Sequence, residues 1–320
     1  MPPMSAQQPV QPVTRLDAPD LQMLEDYRLR ALKARRDRWV ISAAVMPFVV
    51  YATVRFVENP DLLFWKNIYF YMLVGMAAFI LFHWIGGVRR QYVEDYKDTV
   101  LPMVAAAFNF RYLRNGGVPL SKVTDAAIIP PYTTIKTEDL FSGDYKGAAV
   151  YVSELDLWQR YETMDNKERE KEVFSGLAIL IELPRVAFSG HTAVFPRNYT
   201  ISAALQGKLR GLDHIDMVDP YFEKKYRAYG TDQMESRFVL HPAMVERIER
   251  LDHPLVPGKV SVAFINGCVL VLVPIRQNLF EPPALAIPAT DADSIRMLEH
   301  ELQQALGLVD AFEFYRPQVP

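Results

Sequence analysis

Two apolar runs near the start of this 320-residue chain constrain its fold more than any other feature. Residues 39–57 contain one charged residue, Arg55, and residues 67–88 contain no Asp, Glu, Lys or Arg. An α-helix rises about 1.5 Å per residue, so each run is long enough to cross the hydrocarbon of a bilayer. The sequence therefore predicts two transmembrane helices, spans 39–57 and 67–88, that form a hairpin.

Basic residues flank the two runs on the same side of this predicted hairpin. They are Arg28, Arg30, Lys33, Arg35, Arg36 and Arg38 before the first run, and Arg89, Arg90 and Lys97 after the second. The connecting residues 58–66 contain a single basic residue, Lys66. Because positive residues stay on the cytoplasmic side, we expect a multi-pass membrane protein with both termini cytoplasmic and the lipid bilayer as a partner.

The remainder of the chain divides by composition. Residues 1–19 are rich in Pro and Gln, which predicts a disordered N-terminal tail. Residues 20–117 are expected to form a helical stalk that includes both spans, with Pro102 kinking or ending the second helix. Residues 118–320 change to short strands and turns, which predicts a cytosolic α+β domain built on a mainly antiparallel sheet. The pattern leaves open whether this domain is one lobe or two.

Turn signals locate the strands of this domain. Asn266-Gly267 lies between two β-branched runs and is the strongest hairpin signal in the chain. Residues 143–147 predict a second turn between strands. The charged residues 159–172 predict a solvated loop.

An amphipathic helix is expected near the end of the domain. Its apolar stripe is Ile295, Leu298, Leu302 and Leu306. Thr290 and Asp293 have the spacing of a capping box at its start.

Residues 229–251 contain the densest group of polar residues with chemical potential. Asp232 and Glu235 match a capping box for a helix over residues 233–240, and Pro242 starts a second helix. The apolar face of that second helix is Met244, Val245, Ile248 and Leu251. The functional alternative gathers Asp232, Arg237 and His241 at a pocket as acid, anion clamp and base.

The same region resembles a bacterial family of two-span membrane proteins known only as a domain of unknown function. The matching positions are Phe222, Glu223, Tyr229, Asp232, Glu235, Arg237, Leu240 and Pro242. The upstream segments GDYKG and VFSGL are also similar, and Ser236 stands where the family usually has Ala. The resemblance covers residues 20–285. It implies a bacterial inner-membrane protein and no particular activity.

Several function classes lack their sequence signals. The formal net charge of -3 gives no reason to expect nucleic-acid binding. The six histidines and the single cysteine, Cys268, do not have the spacing of a metal site, and no phosphate-binding or nucleophile-elbow motif occurs. We therefore expect no metal and no cofactor, and Cys268 is expected to be a core residue.

The sequence favours a non-enzymatic, membrane-tethered binding or scaffolding module with an unidentified cytosolic protein partner. Gly75 and the pair Gly86-Gly87 favour close helix packing, either within one chain or between chains, and the second case predicts self-association through the spans. Two alternatives stay open. One is a membrane-anchored enzyme with a site near Asp232, Arg237 and His241, and the other is an oligomeric pore lined by the second span.

Overall fold

The computed structural model describes residues 19–57, 64–123, 125–163, 167–183, 190–197, 211–217, 219–249 and 260–311. These residues belong to two compact units. Of the described residues, the helical unit contains those up to Val100 together with Glu281–Ile295, and the sheet unit contains those within Leu101–Phe280 together with residues 296–311. The predicted tail, residues 1–19, lies outside the described residues except for Pro19.

Two long helices form most of the helical unit. Helix α1 covers Pro19–Val57 and helix α2 covers Phe64–Ala107. Their charged residues are bound within the unit: Arg28 pairs with Glu25 at 2.6 Å and donates from Nη1 to the carbonyl oxygen of Leu285 at 2.8 Å. The ammonium of Lys97 lies 2.8 Å from the carboxylate of Glu281. Segment 281–295 is thus held to both helices by side-chain bonds.

The predicted membrane hairpin needs correction. Among the described residues, no helix has both the length and the apolar character that a membrane crossing requires. This finding overturns the predicted spans and the predicted multi-pass inner-membrane location. Residues 39–57 and 67–88 fall inside α1 and α2, and each is one part of a longer helix, as the predicted stalk requires.

Pro102 does not end the second helix. Helix α2 continues past it to Ala107, and the helix ends where Asn109 adopts the left-handed conformation at φ 61°. Asn tolerates this conformation better than most residues, so it acts as the stop signal.

The described part of the sheet unit contains a single antiparallel sheet of nine strands, as the turn pattern predicted. The strands are Phe110–Leu113 (β1), Thr134–Tyr145 (β2), Ala148–Glu162 (β3), Glu168–Glu182 (β4), His191–Pro196 (β5), Asp213–His214 (β6), Tyr226–Gly230 (β7), Ser261–Ile265 (β8) and Cys268–Pro274 (β9). Their order across the sheet is β1-β2-β3-β4-β9-β8-β5-β7-β6. A 3-10 turn, Leu120–Lys122, precedes β2.

Four further helices complete the described elements. They are Pro220–Lys225 (α3), Gln233–Val239 (α4), Pro242–Glu249 (α5) and Ala292–Ala311 (α6). The predicted apolar stripe of α6 is buried. Its cap is Asp291, which accepts a bond from the amide of Ser294 at 2.9 Å, so the predicted capping box of Thr290 and Asp293 is wrong.

The two hairpin predictions have different outcomes in detail. Asn266 and Gly267 join β8 to β9 with φ values of 51° and 71°, which confirms the predicted two-residue turn. The turn within residues 143–147 is shorter than predicted, because pairing continues to Tyr145↔Ala148. Lys146 and Gly147 alone form it.

The charged segment 159–172 is not a loop. Strand β3 continues to Glu162 and β4 begins at Glu168, so most of the segment is a paired and exposed extension of the sheet. Arg160 lies opposite Glu170 and forms an ion pair with it at 3.2 Å. Opposite charges that face each other across two strands explain why so polar a sequence remains paired.

One face of the sheet packs on the core of this unit. The core contains strand residues from β3, β4, β5, β8 and β9 and the segment Ala126–Ile129; Leu155, Leu180, Phe195 and Leu270 are examples, and all are buried. Cys268 belongs to the same core, as predicted.

Candidate functional site

Helix α4 begins where the sequence places its cap. Asp232 has extended backbone angles and its carboxylate accepts a bond from the amide of Glu235 at 2.7 Å. The amide of Ser236 bonds to the carbonyl oxygen of Asp232, which starts the helix. Residues 233–239 form α4, close to the predicted 233–240.

Side chains on one face of α4 and on the residue before its cap bind the start of β5. The carboxylate of Glu235 accepts a bond from the amide of Gly190 at 3.0 Å. The hydroxyl of Thr231 accepts one from the amide of His191 at 2.9 Å, and the amide of Thr231 bonds to the carbonyl oxygen of His191. Glu235 thus binds the residue that precedes β5, about 45 residues earlier in the chain.

A buried hydroxyl pair completes this attachment. Ser236 is almost fully buried, and its hydroxyl lies 2.9 Å from that of Thr192 in β5. The face of α4 that packs on the sheet is thus polar and hydrogen-bonded.

Helix α5 follows directly. The Nδ1 atom of His241 accepts a bond from the amide of Met244 at 3.3 Å, so the imidazole caps this helix. Met244, Val245 and Ile248 are buried, as the predicted apolar face requires. Leu251 lies outside the described residues.

The three residues of the catalytic alternative have separate environments. Asp232 caps α4 and is exposed, Arg237 is exposed on α4, and His241 is half-buried at the start of α5. Burial lowers the pKa of His241, and the nearby charge of Arg247 lowers it further. A neutral imidazole that accepts at Nδ1 carries its proton on Nε2, which is the form that suits the capping of α5.

The outward face of α4 is the feature that the sequence did not reveal. Met234 is 82% exposed and Phe238 is 67% exposed, one helical turn apart, with Arg237 exposed beside them. Apolar residues at i and i+4 normally indicate the buried face of a helix, but in α4 this pair lies on the exposed face. The signal is overridden by the hydrogen bonds that fix Glu235 and Ser236 against the sheet.

A second polar group lies at the irregularity in β2. The register with β3 shifts between Glu138 and Phe141, and Asp139 adopts φ 55° with its side chain fully buried. As a result, carboxylate oxygens of Glu138, Asp139 and Glu154 lie within 4.8 Å of one another. The adjacent acids Glu138-Asp139, which break the strand alternation, were the available sequence signal for this cluster.

Protein groups already contact each of these three carboxylates. The hydroxyl of Tyr112 donates to Asp139 at 2.6 Å, Lys136 forms an ion pair with Glu138 at 2.8 Å, and the amide of Leu279 donates to Glu154. Oxygen ligands of this kind suit a hard cation such as Ca²⁺ or Mg²⁺. Glu154 also lines a groove with Asp156, Ser175, Gln277 and Asn278.

One part of the chain is similar to a known protein family. Residues 172–314 match a family described as "Protein of unknown function (DUF3137)". The match is consistent with the expected domain of unknown function, over a shorter stretch than residues 20–285, and does not include the segments predicted to span a membrane. No curated protein matches the chain, and no solved structure matches it.

Proposed function

We propose that this chain is a non-catalytic protein-binding module and that α4 presents its contact surface. The observation that carries the proposal is the inverted polarity of α4. Its inward side chains include the hydrogen-bonded Glu235 and Ser236 beside the half-buried Val239, whereas the large apolar side chains of Met234 and Phe238 lie outward. Large apolar side chains that a fold holds outward, although polar ones occupy the inner face, are characteristic of a surface used for interaction.

The way in which α4 is attached supports this role. Bonds from Thr231, Glu235 and Ser236 to β5 fix the helix before any partner arrives. A contact surface that is already ordered does not lose backbone entropy on binding, so more of the contact energy appears as affinity. Exposed aromatic and Met side chains on such a surface are typical binding hot spots.

The chemistry of α4 indicates the chemistry of the partner. Arg237 lies exposed between two apolar side chains, and a guanidinium binds a carboxylate through two parallel hydrogen bonds. The surface therefore suits an amphipathic protein segment that combines aliphatic side chains with at least one Asp or Glu. A helix that lays its apolar face on α4 would satisfy both requirements.

The experiment compares three versions of the full chain as bait in an extract of the native cells. They are the wild type, the double variant Met234→Ser/Phe238→Ser, and a control, Tyr161→Ser/Met297→Ser, whose residues are also exposed but lie on other elements. We expect a protein that the wild type and the control capture equally and that the α4 variant captures at least tenfold less. Its purified form should bind the wild-type chain directly.

Charge reversal then tests the partner chemistry. Arg237→Glu should weaken the purified complex about tenfold or more, and an Asp or Glu to Lys change in the partner should restore binding to that variant. If the α4 double variant captures the same proteins as the wild type, the proposal is wrong. If it loses binding while Arg237→Glu does not, the surface binds a purely apolar segment and the acidic partner is wrong.

A further inference from the structure

A second apolar surface lies on α1, in the helical unit. Between Trp39 and Val54 all the described exposed residues are uncharged, and eight of them share one side of the helix: Trp39, Val40, Ala43, Met46, Pro47, Val50, Tyr51 and Val54. Among them Tyr51 is 63% exposed and Trp39 is 56% exposed. We call this set the α1 face.

The members of the α1 face lie on one side of the helix. At about 100° per residue, they occupy an arc of about 140° and recur at intervals of three, four and seven. This spacing continues over more than four turns without interruption by Asp, Glu, Lys or Arg. An apolar stripe of this width is what a helix presents to another helix or to a protein core.

The area of the α1 face is close to what one partner contributes to a stable interface. Two half-exposed aromatic residues and four half-exposed aliphatic or Met residues, with Ala43 and Pro47, expose several hundred Å² of apolar surface. The largest apolar patch on a typical monomer is about 300–600 Å², and a standard interface buries about 800 Å² from each partner. The α1 face is thus at or above the upper end for a monomer.

The composition of the α1 face favours a second copy of this chain as the occupant. It carries no charged group, and among its exposed side chains only Trp39 and Tyr51 can hydrogen-bond, so it offers few of the polar groups with which a surface distinguishes one partner protein from another. A two-fold interface needs a patch that is complementary to itself, and an uncharged helical stripe meets this condition. The small side chain of Ala43 near its middle lets two helices approach closely.

We infer that two copies of this chain associate through the α1 face. Each copy would place its stripe of apolar side chains against the equivalent stripe of the other, so that Met46, Val50 and Tyr51 lie at the centre of the interface. The dimer would present two α4 surfaces, but the inference does not depend on α4 binding a partner.

Sedimentation equilibrium of the full chain, in a detergent matched in density to the solvent, measures its association state. We expect the wild type to be a dimer. Met46→Asp/Val50→Asp should raise the dimer dissociation constant at least tenfold, because each subunit would bury two unpaired carboxylates. Both positions are exposed in the single chain, so its helix content by circular dichroism should not change.

Two controls separate this result from general effects and from the proposed function. Met297→Asp adds a charge at an exposed position on α6 and should leave the dimer unchanged. Met234→Ser/Phe238→Ser on α4 should also leave it unchanged, although that variant is expected to lose the protein partner.

Copies with two different tags provide an independent measurement. They should co-purify when both carry the wild-type α1 face and should separate when both carry Met46→Asp/Val50→Asp. A wild-type chain that is monomeric overturns the inference, whether it stays free or floats with phospholipid vesicles as a monomer. A dimer that persists in the α1 variant overturns it equally.

Discussion

The hydroxyl groups of Thr192 and Ser236 lie 2.9 Å apart in a buried contact that joins β5 to α4. Removing one hydroxyl leaves the other buried without this hydrogen-bond partner, whereas removing both leaves no hydroxyl unsatisfied. We expect Ser236→Ala and Thr192→Val each to lower the free energy of unfolding by about 1 kcal/mol. The double variant should lose clearly less than their sum.

Urea denaturation of the four proteins gives this coupling free energy directly. Strictly additive losses would mean that the hydroxyl pair does not hold α4 in place. A loss of protein binding in Ser236→Ala that exceeds its loss of stability would further connect the attachment of α4 to the proposed contact surface.

Two buried tyrosines in the helical unit differ from this pair, because their hydroxyl groups have no hydrogen-bond partner among the described residues. Among the residues that the structure describes, the hydroxyls of Tyr92 and Tyr96 are buried without a hydrogen-bond partner. Burial raises the pKa of Tyr92 to about 12 and also raises that of Tyr96. Tyr96→Phe removes a buried polar group and should raise the free energy of unfolding by about 1 kcal/mol, measured in urea.

Tyr112→Phe is the matched control for that substitution. It removes the same atom, but here the hydroxyl donates to the buried carboxylate of Asp139 at 2.6 Å. We expect this variant to lose about 2 kcal/mol, since bonds to charged groups contribute more than neutral ones. If both variants shift stability in the same direction, the contrast between the two hydroxyls is refuted.

The buried ring of His191 should make the free energy of unfolding depend on pH. Burial lowers the pKa of this ring below its ordinary 6.5, with the charge of Asp125 opposing in part, and its Nε2 accepts a bond from the amide of Ala127 at 3.3 Å. As the pH falls below about 6.5, the unfolded chain takes up a proton that the folded ring does not. The free energy of unfolding should therefore decrease through this window.

His241 contributes with the same sign, because its pKa is also lowered. The double variant His191→Gln/His241→Gln should show a smaller decrease between pH 7 and pH 5 in urea denaturation at each pH. An identical pH profile for the wild type and the double variant would show that other groups control the acid response.

Local patterns in the sequence predicted what local physics decides. The Asn266-Gly267 hairpin, the cap at Asp232 and the buried face of α5 all follow from turn geometry, capping and helical periodicity. The register shift that brings Asp139 beside Glu154 could not be predicted in this way, because it depends on how two strands pair.

The largest errors came from hydrophobicity taken without tertiary context. Residues 39–57 and 67–88 satisfied a length criterion for membrane spans, but among the described residues no helix is both long and apolar enough to cross a membrane. On α4, Met234 and Phe238 have the spacing of core residues but are exposed, because the hydrogen bonds of Glu235 and Ser236 fix another face of the helix against the sheet.

Gly176 lies where β4 passes the end of β9, and its lack of a side chain allows the strands to approach. A Cβ atom there would lie 2.7 Å from the amide nitrogen of Ile275 and closer still to the carbonyl oxygen of Val273. Gly176→Ala should therefore lower the free energy of unfolding by about 3 kcal/mol. Gly147→Ala is the control: its position has φ 86° but open space around it, so only backbone strain of about 1 kcal/mol is expected. Equal losses in urea denaturation would attribute both effects to backbone conformation and refute close packing at Gly176.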